Sequence, residues 1–279
     1  MVPPLLLAVQ RDCKVLDLCA APGSKTCQLI EYLDGCGDAT LVLANDSNIK
    51  RCHLLVHQTK RLRSPKVIVT NQDASCFPSL YAITGDRLVK ALKFDCILAD
   101  VPCRYRLPSR IFCCRFYTYT SGDGTLRKNP FLWADWKPSG AHGLHLLQCR
   151  ILSRGVEMLA EGGALCYSTC SFNPVENEAV VAHVLNKFNG EVELIDVGDR
   201  LPGLRRVGGV STWVVELLLR DIPFVRPLNF SEAEEAVYLC LWRGKESFVA
   251  MLEKCEAKSM LILLAGPVRA AELWEKHRN

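Results

Sequence analysis

No window of the 279-residue chain approaches the ~18 consecutive apolar residues that a bilayer-spanning helix requires. The opening "MVPPLLLAV" has no basic stretch before it and no small-residue cleavage site after it, so it does not read as a secretory leader. Neither membrane residence nor export is expected. Among 15 cysteines there is no C-x-x-C pair, and His53 and His57 lack the glutamate of H-E-x-x-H, so no metal is expected. The phosphate-binding patterns G-x-x-x-x-G-K-[ST] and G-x-G-x-x-G are both missing. Internal repeats and low-complexity linkers are missing too, which leaves a soluble globular protein with one large core, or one core and a small appendage.

Two abundances need an explanation. Cysteines crowded into a short secreted chain would mean a disulfide framework, but here they are scattered through apolar segments of a mid-sized one. That fits a reducing compartment: the nucleus, with the nucleolus or cytoplasm as alternatives. The net charge of +4 invites a polyanionic partner. Yet Arg104, Arg106, Arg110 and Arg115 lie together in one acid-free run, and without them 30 basic residues balance 30 acidic ones. Bulk charge is therefore no argument for nucleic-acid binding.

Short apolar runs alternate with helical patterns. "KVLDLCA" (14–20), "TLVLAND" (40–46), "KVIVTNQD" (66–73), "FDCILADV" (94–101), "ALCYSTCS" (164–171) and "EVELIDV" (191–197) read as strands buried on both faces. Segments 24–33, 49–62, 141–160 and 174–188 carry helical spacing. Asn173 and Pro174 are expected to cap and open the last of these, and Gly162 and Gly163 to end the one before. The alternation predicts an α/β fold: a doubly wound, mostly parallel, Rossmann-like sheet with its ligands at the carboxyl ends of the strands.

Those ends carry the chemistry. The first runs into Cys19, Ala20, Ala21, Pro22, Gly23, Ser24 and Lys25, a turn of small residues opening a helix, where free amides favour an anionic group such as a carboxylate. The second ends in Asp46, about 20 residues past the glycine turn, placed to accept hydrogen bonds from both hydroxyls of a ribose. Asp73 and Asp100 end the third and fourth. Each acid alone is more often a turn residue, but three at successive strand ends suit a nucleoside-like cofactor bearing a cation such as a sulfonium. Cys103 in "DVPC" and Cys170 in "STCSFNP" stand at strand ends beside helix starts, where a thiolate is stabilised. Cys96 and Cys166, inside strands, read as inert packing.

"CAAPGSKT", "DVPC", "SGDGT" and "STCSFNP", in that order, resemble the NOL1/NOP2/Sun (RsmB/NOP2-type) family of RNA cytosine-5 methyltransferases, and most of all its eukaryotic tRNA branch, over residues 1–204. The resemblance implies S-adenosyl-L-methionine as methyl donor. Residues 19–25 would wrap its methionine end, Asp46 its ribose and Asp73 its adenine side, with Asp100 bordering the target base. It also implies that Cys170 adds to carbon 6 of a cytosine, that Cys103 helps remove the carbon 5 proton and release the enzyme, and that the RNA, tRNA foremost, is single-stranded or flipped. Lys25, Arg127 and Lys128 are candidate cationic supports.

The family text is interrupted. Residues 104–120 separate Cys103 from "SGDGT", where the family runs straight on. The pyrimidine-rich codons of "RIFCCRFYTYT" fit a translated intron, while its arginines and aromatics also fit an RNA-contacting loop. Residues 1–213 form the expected catalytic core. Segment 214–279 matches poorly and reads as helical, with "KSMLILLAG" a candidate substitute for the last strand of the sheet, and the family's N-terminal RNA-binding region is expected to be absent. Two other functions remain open: a non-catalytic cofactor- or RNA-binding remnant, and a DNA cytosine methyltransferase, against which the cysteine of "STCS" argues.

Overall fold

In a computed structural model the protein is described over residues 1–37, 39–84, 87–106, 118–120, 122–125, 139–204, 206–209, 240–242 and 248–254. For residues 82–84, 87–90, 104–106, 118–120, 123, 139–140, 142, 206–208, 240–242 and 248–254 the description is of backbone only. The described helices are α1 (Val2–Leu6), α2 (Ser24–Tyr32), α3 (Ile49–Lys60), α4 (Ser139–Met158) and α5 (Glu178–Lys187). The strands are β1 (Lys14–Asp17), β2 (Leu41–Asn45), β3 (Val67–Thr70), β4 (Tyr81–Thr84), β5 (Arg87–Ala91), β6 (Phe94–Asp100), β7 (Arg104–Arg106), β8 (Thr118–Thr120), β9 (Leu159–Thr169), β10 (Val192–Leu194), β11 (Arg206–Gly208), β12 (Cys240–Trp242) and β13 (Phe248–Lys254). Among the described residues no helix is long and apolar enough to cross a membrane.

Strands β3, β2, β1, β6 and β9 lie side by side and parallel, in that order. The chain starts the sheet at its middle, builds outward through β2 and β3, then returns to add β6 and β9 on the other side of β1. The order therefore reverses between β1 and β6, the place where a doubly wound sheet opens a crevice at its carboxyl edge.

β1, β2, β6 and β9 are buried on both faces because their alternate side chains enter different cores, whereas the edge strand β3, expected to be buried on both faces, leaves Ile68 exposed because no further strand or helix covers it among the described residues. Leu16, Leu18, Ile97, Ala99, Leu165 and Tyr167 pack with Leu152 and Val156 of α4 and Val180 and Val184 of α5. Val15, Val42, Leu98 and the inert thiols Cys96 and Cys166 pack with Leu6 of α1 and Leu29, Ile30 and Leu33 beside and within α2. Each fully buried leucine or isoleucine here contributes about 1.5–3 kcal/mol. Gly155 lets α4 lie close against the sheet, since a Cβ there would meet Leu165 Cδ1 at 2.8 Å and Leu18 Cδ1 at 3.2 Å.

Three local expectations are corrected. Segment 174–177 is turn rather than helix, because Asn173 Oδ1 accepts from Val175 N (3.0 Å) and so closes a local turn instead of capping α5. Helix α4 ends at Met158, before the two glycines, and β9 runs through them with an irregular register opposite Phe94 and Cys96. The third lies in the C-terminal segment, where helix was expected. There Phe248–Lys254 pairs antiparallel with β9 from Phe248↔Thr169 to Glu253↔Ala164, completing the sheet, and Cys240–Trp242 pairs with it and with β11. The run "FVAMLEK" supports either period, and the open edge of β9 decides between them. "KSMLILLAG" lies outside the described residues, as do Arg127 and Lys128.

The interruption at 104–120 starts and finishes in a ladder. Arg104 pairs with Thr120, Tyr105 with Tyr119 and Arg106 with Thr118, so the chain leaves and re-enters the fold at nearly one point.

Candidate active site

The first turn is held from outside by the ends of β2 and α3. Ala20 N donates to Asn45 O (2.7 Å), Ala21 N to Asp46 Oδ2 (3.3 Å), and the Arg51 guanidinium to Ala21 O. Gly23, the residue before α2, sits at φ 111°, and a Cβ there would meet Leu55 Cδ1 at 2.9 Å. Both the positive φ and the close approach of α3 require glycine. Ala20, Ala21 and Gly23 are buried, whereas Pro22 and Ser24 are exposed at the mouth and Lys25 is half-buried.

Asp46 is almost fully buried and ties this turn to the next. Its Oδ1 accepts from Asn48 N (2.9 Å), and its Oδ2 lies 3.4 Å from Arg51 Nη1. Carboxylate oxygens have lone pairs beyond these. Asp100 accepts from Lys25 Nζ (2.9 Å) and from Ser168 Oγ (2.6 Å), joining the carboxyl ends of β6 and β9 to the first turn. Asp73 is exposed, and its Oδ1 accepts from Ser75 N and Oγ, both at 2.8 Å. It stands outside the tight group formed by the other acids.

That group has a member the sequence reading missed. Asp17, the last residue of β1, is buried, and its Oδ2 accepts from Thr26 Oγ1 (2.7 Å). Its Oδ1 has no hydrogen-bond partner among the described residues. Burial raises its pKa from 3.8 to about 7, with the Asp100 charge adding to the rise and Thr26 and Lys25 opposing it. Cys19 reports the field of the whole cluster: burial first, then Asp17, Asp46 and Asp100, push its thiol well above the usual range. A thiol so placed is no nucleophile. The pocket favours positive charge instead.

Asn45 was missed as well. Fully buried, it donates from Nδ2 to Leu18 O (3.0 Å) and Gln72 O (2.9 Å) and accepts at Oδ1 from Thr70 Oγ1 (3.0 Å), fastening the ends of β1, β2 and β3 together. A polar residue within an otherwise apolar run was the available signal for both Asp17 and Asn45.

On the other side of the crevice the two thiols meet. Cys170 N donates to Cys103 Sγ at 3.0 Å across 67 residues of sequence. Gly122 closes the group: it has φ 52°, and a Cβ there would lie 3.4 Å from Cys170 Sγ and 3.8 Å from Cys103 Cβ. Gly124 N donates to Cys170 O (3.0 Å). Cys103 is buried, and contact with the Cys170 thiol together with burial pushes its pKa well up, so at neutral pH it holds its proton. Cys170 is the more accessible of the two. Among the described residues no group of three or more histidines, cysteines and acids is placed to hold a metal ion.

The sequence matches the family described as 16S rRNA methyltransferase RsmB/F over residues 4–107 and 118–204, a match that breaks inside the 104–120 interruption. It is 44% identical over 266 residues to a tRNA (cytosine(34)-C(5))-methyltransferase of Drosophila melanogaster, covering 91% of this chain and 33% of that one. It is 48% identical over 219 residues to the multisite-specific tRNA:(cytosine-C(5))-methyltransferase of Saccharomyces cerevisiae, covering 77% and 29%. The chain thus spans about a third of the length of these curated relatives. Among solved structures, NSun6 from Pyrococcus horikoshii with SFG superimposes with a TM-score of 0.60 at 21% identity, over 91% of this chain and 52% of that one.

Proposed function

The chain belongs to the RsmB/F methyltransferase family, and from that membership we propose that it transfers a methyl group from S-adenosyl-L-methionine to carbon 5 of a cytosine in RNA, tRNA foremost, with Cys170 as nucleophile. The observation that carries the reading is the meeting of Cys103 and Cys170 at the carboxyl ends of β6 and β9, across the crevice from a turn ringed by Asp17, Asp46 and Asp100.

The residues fit the donor. Asp46 suits the ribose hydroxyls, and the unpartnered Oδ1 of Asp17 suits the amino group. The amides opening α2 suit the carboxylate, and Asp73 at the outer end of β3 suits the adenine side. Bound there, S-adenosylmethionine supplies an electrophilic methyl group. The thiolate of Cys170 adds to carbon 6 of the cytosine, which makes carbon 5 electron-rich enough to take that methyl. Loss of the carbon 5 proton to solvent then expels the Cys170 thiolate and restores the aromatic ring, and Cys103, holding its proton beside Cys170, can donate to that leaving sulfur and release the enzyme. Asp100, gripped by Lys25 and Ser168, borders the position of the base.

The remnant reading is favoured if the interruption displaces Cys103 and the expected absence of the N-terminal region removes RNA grip. The ladder from Arg104↔Thr120 to Arg106↔Thr118 leaves that thiol beside Cys170, which favours an active enzyme. The scatter of cysteines through apolar segments leads us to place the chain in a reducing compartment, the nucleus foremost. The test uses labelled tRNA and a denaturing gel. Cys170→Ala lowers methyl transfer at least about 10⁴-fold and gives no covalent adduct, while Cys103→Ala lets the adduct accumulate. Adducts that survive in Cys170→Ala and vanish in Cys103→Ala reverse the roles and point to the DNA-type arrangement.

A further inference from the structure

One buried carboxylate lies between the two thiol-bearing loops. Glu176, in the turn before α5, is fully buried. Its Oε1 accepts from Ser171 Oγ (2.7 Å), the residue after Cys170. Its Oε2 accepts from Gln148 Nε2 (2.8 Å) of α4, and the same nitrogen lies 3.3 Å from Pro102 O, the residue before Cys103. Its carbonyl accepts from the Tyr167 hydroxyl (2.6 Å) on β9. Asn177 completes the clasp, with Oδ1 accepting from Thr169 Oγ1 (2.6 Å) and Nδ2 donating to Ser171 O (2.9 Å).

We propose that Glu176 is a positioning residue of the thiol pair: through Ser171 on one side and Gln148 and Pro102 on the other, its carboxylate holds the Cys103 and Cys170 loops in register. The assignment rests on the thiol chemistry proposed above. Two oxygens of one rigid group serve two loops, so neither loop can shift without breaking a hydrogen bond in a dry interior, where such bonds are expensive to lose.

The charge has a second effect. Cys103 faces Cys170 from the loop after β9, Glu176 from the turn before α5 and Tyr167 from β9. Contact with Cys170 and burial raise Cys103 most, and the Glu176 charge adds to them. The arrangement keeps the proton on Cys103.

Glu176→Gln separates charge from shape. The new amide oxygen can still accept from Gln148 Nε2, which keeps its bond to Pro102 O, while the new amide nitrogen can donate to the Ser171 hydroxyl, so both loop links persist. The fold is therefore retained, and the melting temperature checks it. Reaction with iodoacetamide across a pH series, read by mass spectrometry at each cysteine, then gives both thiol titrations without RNA. In Glu176→Gln the Cys103 midpoint falls. In tRNA methylation kcat falls roughly ten- to a hundredfold with KM unchanged. Glu176→Asp, which keeps the charge on a shorter stem, restores the Cys103 midpoint and leaves kcat low.

A Cys103 titration identical in wild type and Glu176→Gln, or a kcat that tracks melting temperature alone, overturns the proposal. The outcomes separate it from the functional reading. A shifted Cys103 midpoint in a protein that methylates no RNA leaves Glu176 as proposed and removes the RNA chemistry, whereas normal methylation with an unmoved midpoint does the reverse.

Discussion

Around Cys19 the site is one unbroken turn pinned by the ends of β2 and α3, whereas around Cys170 it is the convergence of three loops that begin at Cys103, Gly122 and Cys170. The first half is held by backbone bonds from Ala20 and Ala21 to the residues ending β2, and by a glycine whose φ of 111° the turn demands. The second half is held by side chains from distant parts of the chain, Gln148, Ser171, Glu176 and Asn177. A local half tolerates change elsewhere in the molecule. A convergent half is exposed to change in any of its loops, and the interruption at 104–120 enters through one of them. The same contrast predicts that the thiol variants lose transfer while keeping cofactor affinity within about threefold, since no bond of the first turn involves them.

The largest effect expected in the local half is on stability. The folded chain holds the Asp17 proton more tightly than the unfolded chain, with a pKa of about 7 against 3.8. Folding therefore takes up a proton between these values, and stability is greatest below pH 4 in this respect and falls as pH rises through 7. The full difference is about 4 kcal/mol. Asp17→Asn removes this slope: denaturant unfolding of the cofactor-free protein shows wild type losing stability across that window relative to the variant. Saturating S-adenosylmethionine restores much of the loss if its amino group pairs with the ionised carboxylate. Parallel curves for the two proteins would show that Asp17 is not held neutral.

Asp46→Ala comes next. It removes an acceptor for ribose hydroxyls and should weaken S-adenosylmethionine binding by about 1.5–3 kcal/mol, roughly ten- to 150-fold. Because Asp46 also receives Ala21 N and Asn48 N, Asp46→Asn, which keeps an oxygen in place, should recover part of the loss. Titration calorimetry measures both, and equal affinity in wild type and Asp46→Ala would remove the ribose assignment and with it the plainest distinction between the two halves.

The same contrast explains what could be read from the sequence. The parallel strands and the small-residue turn were legible because apolar runs, glycine and strand-end acids write local structure locally. Asp46 and Asp100 were legible as strand-end acids, but Asp17 and Asn45 were hidden inside strands whose apolar character set the reading. Glu176 carries no local signal, since its role exists only when α4 brings Gln148 to it. Strands β12 and β13 were read as helix because their pattern is ambiguous without β9 to pair with. The pair β4 and β5 went unread because it lies on a separate two-stranded sheet, outside the parallel alternation. The thiols came from the resemblance and from their place at strand ends. Spacing alone could not have brought together two residues 67 positions apart.

The smallest expected effect bears on the interruption. Excising residues 104–120 asks Cys103 to join residue 121 directly. The Cα atoms of paired residues such as Arg104 and Thr120 lie about 5 Å apart in an antiparallel ladder, and the new peptide needs about 3.8 Å. The excision therefore removes a hairpin whose two ends already lie side by side. The entropy of closing the excursion changes little, since each doubling of loop length costs about 0.6 kcal/mol. Stability in denaturant should change by less than about 1 kcal/mol, cofactor affinity should not change, and tRNA methylation should stay within about tenfold of the uncut chain. A rise of a hundredfold is what a displaced release thiol would give on relief. It would mean that the ladder does not protect Cys103 and that 104–120 is an intruder. A fall of that size, with the Cys103 titration unchanged, would instead make its arginines part of the RNA-binding surface. Either result would show that the convergent half depends on the segment, whereas an unchanged rate follows if the ladder isolates the segment from the thiols.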